Sequence, residues 1–129
     1  MSKIVFTENA PAPIGPYSQA VWNGNTLFVS GQIAMDAQTG KITGQNGESI
    51  EEETHKVMHN MKQILEAAGL SFSDVVKCGI FVKDMNDFQA INGAYGEYFK
   101  ENPPARETVE VSRLPKDVRV EISCIAAKE

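Results

Sequence analysis

Polar and apolar positions repeat along this chain with two different periods, and the switches between them mark out the elements. Ile50, Thr54, Val57, Met58, Met61, Ile64, Leu65 and Ala68 recur at steps of three and four, which puts them on one stripe of a helix. Ser49 and Glu52 stand at capping-box spacing at its start, and Gly69 supplies its stop. A second helix is predicted from about residue 86 to residue 100, with Phe88, Ile91, Tyr95 and Phe99 as its core face and Asp84, Asn86 and Asp87 as candidate caps. Period-two or β-branched runs predict strands over residues 3–7, 20–22, 26–30 and 75–82. Asn23-Gly24-Asn25 reads as a hairpin turn, because Asn-Gly tolerates the positive φ that tight turns need. The proline-rich residues 8–16 and the polar residues 36–47 read as connections.

Two further strands close the chain, within the run PPARETVEVSRLPKDVRVEISCI at residues 103–125. In the second of them Val118, Val120, Ile122 and Cys124 alternate with Arg119, Glu121, Ser123 and Ile125, so Glu121 faces away from the most apolar side. A carboxylate in mid-strand is uncommon and rarely buried unless paired. Arg106 follows Pro103, Pro104 and Ala105, a stiff base for a guanidinium and a way to build an anion site. Read as neighbouring strands, the two segments hold Arg106 and Glu121 at fixed positions. The residues alone leave open an ordinary exposed ion pair or a subunit contact.

The order is an opening β-meander, then helix, strand, helix, strand, strand, spread over 129 residues. It predicts one α+β domain over residues 1–129, a single mixed β-sheet with two helices on one face. The other face would carry Glu121 and Ile125 with Lys77, Phe81 and Val109. That mixture is too apolar for open solvent and too charged for a monomer core, so packing against copies of the same chain is expected.

Charge and composition then remove several classes of function. A net charge of −5 with scattered basic residues argues against nucleic acid as a partner, since that affinity comes mostly from Lys and Arg on phosphates. No run is apolar and long enough for a signal peptide or a membrane span, so a cytoplasmic protein without a membrane partner is expected. Cys78, on a face with Val76, Ile80 and Val82, and Cys124, on a face with Val120 and Ile122, read as small buried hydrophobes. His55 and His59 have the spacing of a two-histidine metal site, but HKVMH lacks the HExxH glutamate and no third ligand suggests itself, so no metal is assigned. Glu51, Glu52 and Glu53 suit the positive end of the helix dipole. Ser30 precedes Gly31 without the surroundings of a nucleophile elbow, and the glycine would let a ligand approach the backbone closely.

Four stretches carry a resemblance to a known family: IGPYSQAV at 14–21, FVSGQI at 28–33, AAGLSFSDVVKCGIFVKDMNDFQAIN at 67–92 and PARETVEVSRLPKDVRVEI at 104–122. In order and spacing they resemble the RidA, or YjgF, family across nearly the whole chain. The resemblance implies a chorismate-mutase-like fold, a cytosolic homotrimer with sites at subunit interfaces, and hydrolysis of reactive enamines and imines such as 2-aminoacrylate and 2-iminobutanoate to 2-keto acids and ammonia, without metal or organic cofactor. It implies that Arg106 grips the substrate carboxylate and that Glu121 holds a water or relays a proton. It also implies that Tyr17, Ser30, the Gly31 amide, Asn92 and the main chain at Thr108 complete the lining. Thr108 departs from members with cysteine there, so no thiol takes part at that position. Two alternatives are a non-catalytic trimer that binds small carboxylates, and a ribonuclease or translation inhibitor.

Overall fold

The computed structural model describes residues 3–129. Its strands are β1 (Ile4–Val5), β2 (Ala20–Asn23), β3 (Thr26–Gln32), β4 (Val75–Val82), β5 (Ala105–Glu110) and β6 (Val120–Ala127). The helices are α1 (Ile50–Ala67) and α2 (Phe88–Gly96). The strands form one sheet in the order β1-β2-β3-β6-β4-β5. Only the β4–β5 pair is parallel, and α2 makes the crossover it requires. α1 packs on β3 and β6 and against α2, and its stripe joins the inward residues of the sheet in one core. The expected mixed sheet with two helices on one face is the fold observed.

Local chemistry explains where the elements begin and end. Ser49 accepts from the Glu52 amide at 3.1 Å while the Glu52 carboxylate accepts from the Ser49 amide, and Gly69 ends the first helix at φ +78°. β1 is shorter than predicted because the Gln19 side chain intercepts the backbone of Thr7, accepting from its amide at 2.7 Å and donating to its carbonyl at 3.0 Å. α2 is also shorter. Past Gly96 the chain tightens into bonds of three-residue span, Tyr98 to Tyr95 and Phe99 to Gly96, ahead of Asn102 at φ +49° and the two prolines. Phe99 stays buried all the same.

Two expectations about faces are corrected. Val76 does not share the Cys78 face: the β4–β6 register shifts between Val75 and Lys77, which leaves Val76 51 % exposed and turns Val75 into the core. Glu53 is not merely a dipole charge. It is 1 % exposed, accepting from the Arg119 Nε at 2.7 Å and from the Arg119 amide at 2.8 Å. Arg119 also donates through Nη2 to the Glu48 carbonyl at 2.9 Å, so this pair ties the loop ahead of α1 to the start of β6.

Candidate functional site

Glu121 faces away from the helices, as the period of β6 requires, beside Phe81 of β4. It borders an open pocket of about 320 Å³ whose other walls are Ile14, Tyr17, Ser30, Gly31, Ile33 and Pro115. The β3–β6 register is broken between Val29 and Gln32, so Ser30 and Gly31 stand out of register with β6. Gly31 is needed there for a reason the sequence did not show: a Cβ on it would collide with the Glu121 carboxyl group, coming 2.8 Å from Cδ. Ser30 is fixed through its hydroxyl, which donates to the Ser18 carbonyl at 2.6 Å. Tyr17 is held by its own turn, its amide donating to the Gly15 carbonyl at 2.9 Å and its hydroxyl accepting from the Ile14 amide at 3.3 Å.

Among the described residues no side chain or amide pairs with the Glu121 carboxylate. Burial alone acts on it and raises its pKa above the ordinary glutamate value. A half-buried carboxylate with no partner is costly for a fold to keep and suited to taking up and returning a proton.

Arg106 lies elsewhere. It sits on edge strand β5 opposite Cys78, a core-facing residue, and so turns toward the helix layer. Its Nη1 donates to Asn92 Oδ1 at 2.7 Å, and its Cζ lies 5.7 Å from the Phe88 ring centre and 5.2 Å from that of Tyr95. Thr108 follows on the same face of β5, opposite Ile80, with its hydroxyl buried and unpartnered.

The seven candidate residues therefore form two groups within one chain: Tyr17, Ser30, Gly31 and Glu121 on one side, Arg106, Asn92 and Thr108 on the other. β5 and β6 are not neighbours, as the sequence reading had them, because β4 runs between them. Glu121 stands opposite Phe81 and Phe81 opposite Val109, three residues beyond Arg106. Two inter-strand spacings and three residue rises put the Cα positions of Arg106 and Glu121 on the order of 14 Å apart, and their side chains leave opposite faces. No small molecule bridges that gap within one copy.

Of the other side chains singled out in the sequence, His59 is exposed on α1, while His55 and the two cysteines are engaged or buried. His55 Nδ1 lies 2.7 Å from the Tyr98 hydroxyl and Nε2 lies 3.5 Å from Glu97, so this histidine is half-buried at the α1–α2 seam. Cys78 and Cys124 are free, buried and directly opposite one another, and burial pushes both thiols up. Sequence reasoning missed Phe88 as a neighbour of Arg106, because its spacing matched the core stripe of α2, and missed Ile14, Ile33 and Pro115 as pocket walls.

Residues 7–128 match the family model described as Endoribonuclease L-PSP. A RutC family protein of Pyrococcus horikoshii is 57 % identical over 129 residues, covering 100 % of both chains. A protein of Salmonella typhimurium named 2-iminobutanoate/2-iminopropanoate deaminase is 47 % identical over 131 residues, covering 99 % of each. Among solved structures, the YjgF gene product of E. coli superposes with a TM-score of 0.90 at 46 % identity, covering 99 % of this chain and 100 % of that one. E. coli TdcF with bound serine superposes with a TM-score of 0.92 at 41 % identity, with coverage of 99 % and 100 %. With one six-stranded mixed sheet, two helices on one face and near end-to-end similarity, the chain belongs to the YjgF/RidA family.

Proposed function

We propose that this protein hydrolyses 2-imino acids and their enamine tautomers to 2-keto acids and ammonia, as a homotrimer in which Arg106 of one copy reaches the Glu121 pocket of the next. The observation that carries this reading is the half-buried Glu121, unpaired among the described residues, in a pocket whose described lining residues include no cation. A 2-imino acid brings a carboxylate for the guanidinium and an electrophilic C=N carbon next to it. Arg106 holds the carboxylate through two parallel N–H···O bonds, which fix orientation as well as charge. Glu121 takes a proton from water as its oxygen adds to the imine carbon, and returns that proton to nitrogen. The resulting carbinolamine collapses to the keto acid as ammonia leaves. Its raised pKa helps the carboxyl serve in both directions.

The open face of the sheet supports the assembly. Ile4 is 59 % exposed, Val21 38 %, Phe28 45 %, Phe81 37 % and Val109 42 %, a display of large apolar side chains that packing against copies would cover. The bound serine in TdcF and the name of the Salmonella relative favour a small amino-acid-like ligand. The family description favours RNA cleavage instead, but a net charge of −5 offers little attraction for a phosphate backbone, and His55 is already held by Tyr98 and Glu97.

The test feeds imines from a threonine dehydratase or an amino-acid oxidase and follows their decay with this protein in catalytic amount. Acceleration well above the spontaneous rate is expected. A spontaneous rate with intact binding of 2-ketobutyrate would leave a carboxylate-binding trimer, and RNA cleavage by the same sample would favour the nuclease.

A further inference from the structure

Phe88 opens α2 and matches the spacing of a core residue, yet it lies outside the buried cluster that includes Ile91, Tyr95 and Phe99. What its ring meets is Arg106. Phe88, Asn92 and Tyr95 stand at i, i+4 and i+7, one line along the helix. Seven residues of helix rise span about 10.5 Å. A guanidinium carbon 5.7 Å from one ring centre and 5.2 Å from the other therefore sits midway, above Asn92, which accepts from its Nη1 at 2.7 Å. Nε and Nη2 have no protein partner among the described residues.

We infer that Phe88 and Tyr95 are positioning residues for Arg106: the two rings and Asn92 hold the guanidinium in one orientation, leaving its Nε–Nη2 edge free for the bidentate grip of a carboxylate. This rests on the substrate-binding role proposed above for Arg106. An arginine on an exposed edge strand would otherwise sample many rotamers, and binding would have to order it. Aromatic faces attract the cation without occupying its N–H donors, whereas a second carboxylate in their place would compete with the ligand. Tyr95 contributes its ring and not its hydroxyl, which is buried beside the Cys78 thiol, away from the guanidinium.

The test uses Phe88→Leu, which removes the ring but keeps an apolar side chain, with Phe88→Tyr and Tyr95→Phe, which keep both rings. Two readouts are taken on folded samples of unchanged oligomeric state: affinity for 2-ketobutyrate with imine kinetics, and the NMR order parameter of the Arg106 Nε–H group without ligand. Phe88→Leu should weaken keto-acid binding and raise KM by roughly 2- to 30-fold, the range of one cation–π contact, with kcat nearly unchanged. It should also lower the order parameter. Both ring-keeping variants should match wild type in every readout. Unchanged Arg106 order in Phe88→Leu, or a Phe88→Tyr protein as impaired as Phe88→Leu, overturns the inference. If wild type neither binds keto acids nor turns over imines, the proposed function fails by itself, and the order parameters still decide whether the rings fix the guanidinium.

Discussion

Replacing Glu121 by glutamine removes a charge at almost constant shape, and the surroundings of this residue set two opposite consequences. Within one copy the carboxylate is half-buried without a partner among the described residues, and burial raises its pKa. A raised value means that the folded state holds its proton more tightly than the unfolded chain. The stability gained from the neutral acid is full below the ordinary glutamate value of 4.5 and is lost as pH rises through the raised folded value. Glutamine never charges, so Glu121→Gln should melt above wild type at pH 7, and the difference should shrink toward pH 4. Turnover should move the other way. A positioned acid–base group contributes typically ~100- to 10,000-fold, which is about 3 to 5 kcal/mol of transition-state stabilisation.

The assay pairs melting curves across that pH range with initial rates of imine decay on the same sample, and calorimetry with 2-ketobutyrate checks that binding survives. In wild type, kcat/KM should fall on the acid side with an apparent pKa above 4.5, because the base form is lost there. Wild-type rates in Glu121→Gln would reject the carboxylate as the proton carrier. A lower melting temperature at pH 7 would show that Arg106 of the next copy, or another group in the assembly, stabilises the charged carboxylate, and would refute the electrostatic argument drawn from one copy.

Arg106→Lys keeps the charge but loses the fork, so KM should rise at least ~10-fold, and near-normal kinetics in a folded variant would mean the carboxylate is held elsewhere. Phe28→Glu puts a charge on the open apolar face at a site that is 45 % exposed in one copy. Wild type should sediment at three times 14.1 kDa, while the variant should sediment as a monomer without activity; a wild-type monomer at micromolar concentration would remove the shared site. Glu53→Gln breaks a pair whose acidic partner is 1 % exposed but whose Arg119 side chain is 36 % exposed, so the loss belongs at the low end for buried pairs, about 3 kcal/mol. An unchanged urea midpoint would show that Glu48 and the backbone suffice to hold Arg119.

Periodicity disclosed the parts of the fold that depend on one element at a time. The stripe from Ile50 to Leu65 is buried as its spacing implies, and the alternation in β6 turns Glu121 away from Val120, Ile122 and Cys124. Where a second element decides, the pattern was silent. Nothing in VVKCGIFV distinguishes Val75 from Val76, because the bulge that selects Val75 for the core arises from pairing with β6. Glu53 looks like its neighbours Glu51 and Glu52 until Arg119, distant in sequence, is brought onto it. Phe88 fits the spacing of a core residue equally well, and only the placement of β5 shows that its ring faces a cation instead.

The same limit explains how the candidate site was half legible. Arg106 and Glu121 were both recognisable, one from its proline-stiffened approach and one from its place in an apolar strand, but chain order suggested that they were neighbours. A parallel partner for β4 needs a crossover, and α2 carries the chain back to the free edge of β4, since its other edge is occupied by β6. That single topological step separates the guanidinium from the carboxylate and sends them to opposite faces. A pocket with a carboxylate but no lysine or arginine among its described lining residues, and an exposed guanidinium on the other face, then sit on one polypeptide. Under the proposed trimer each half is completed only by another copy, so catalysis would depend on assembly at a geometric level. Mixing the impaired Arg106→Lys and Glu121→Gln subunits should therefore restore part of the activity at low substrate, because some interfaces in the mixed trimer would combine an intact Arg106 with an intact Glu121. Two variants acting within one copy would give no such rescue.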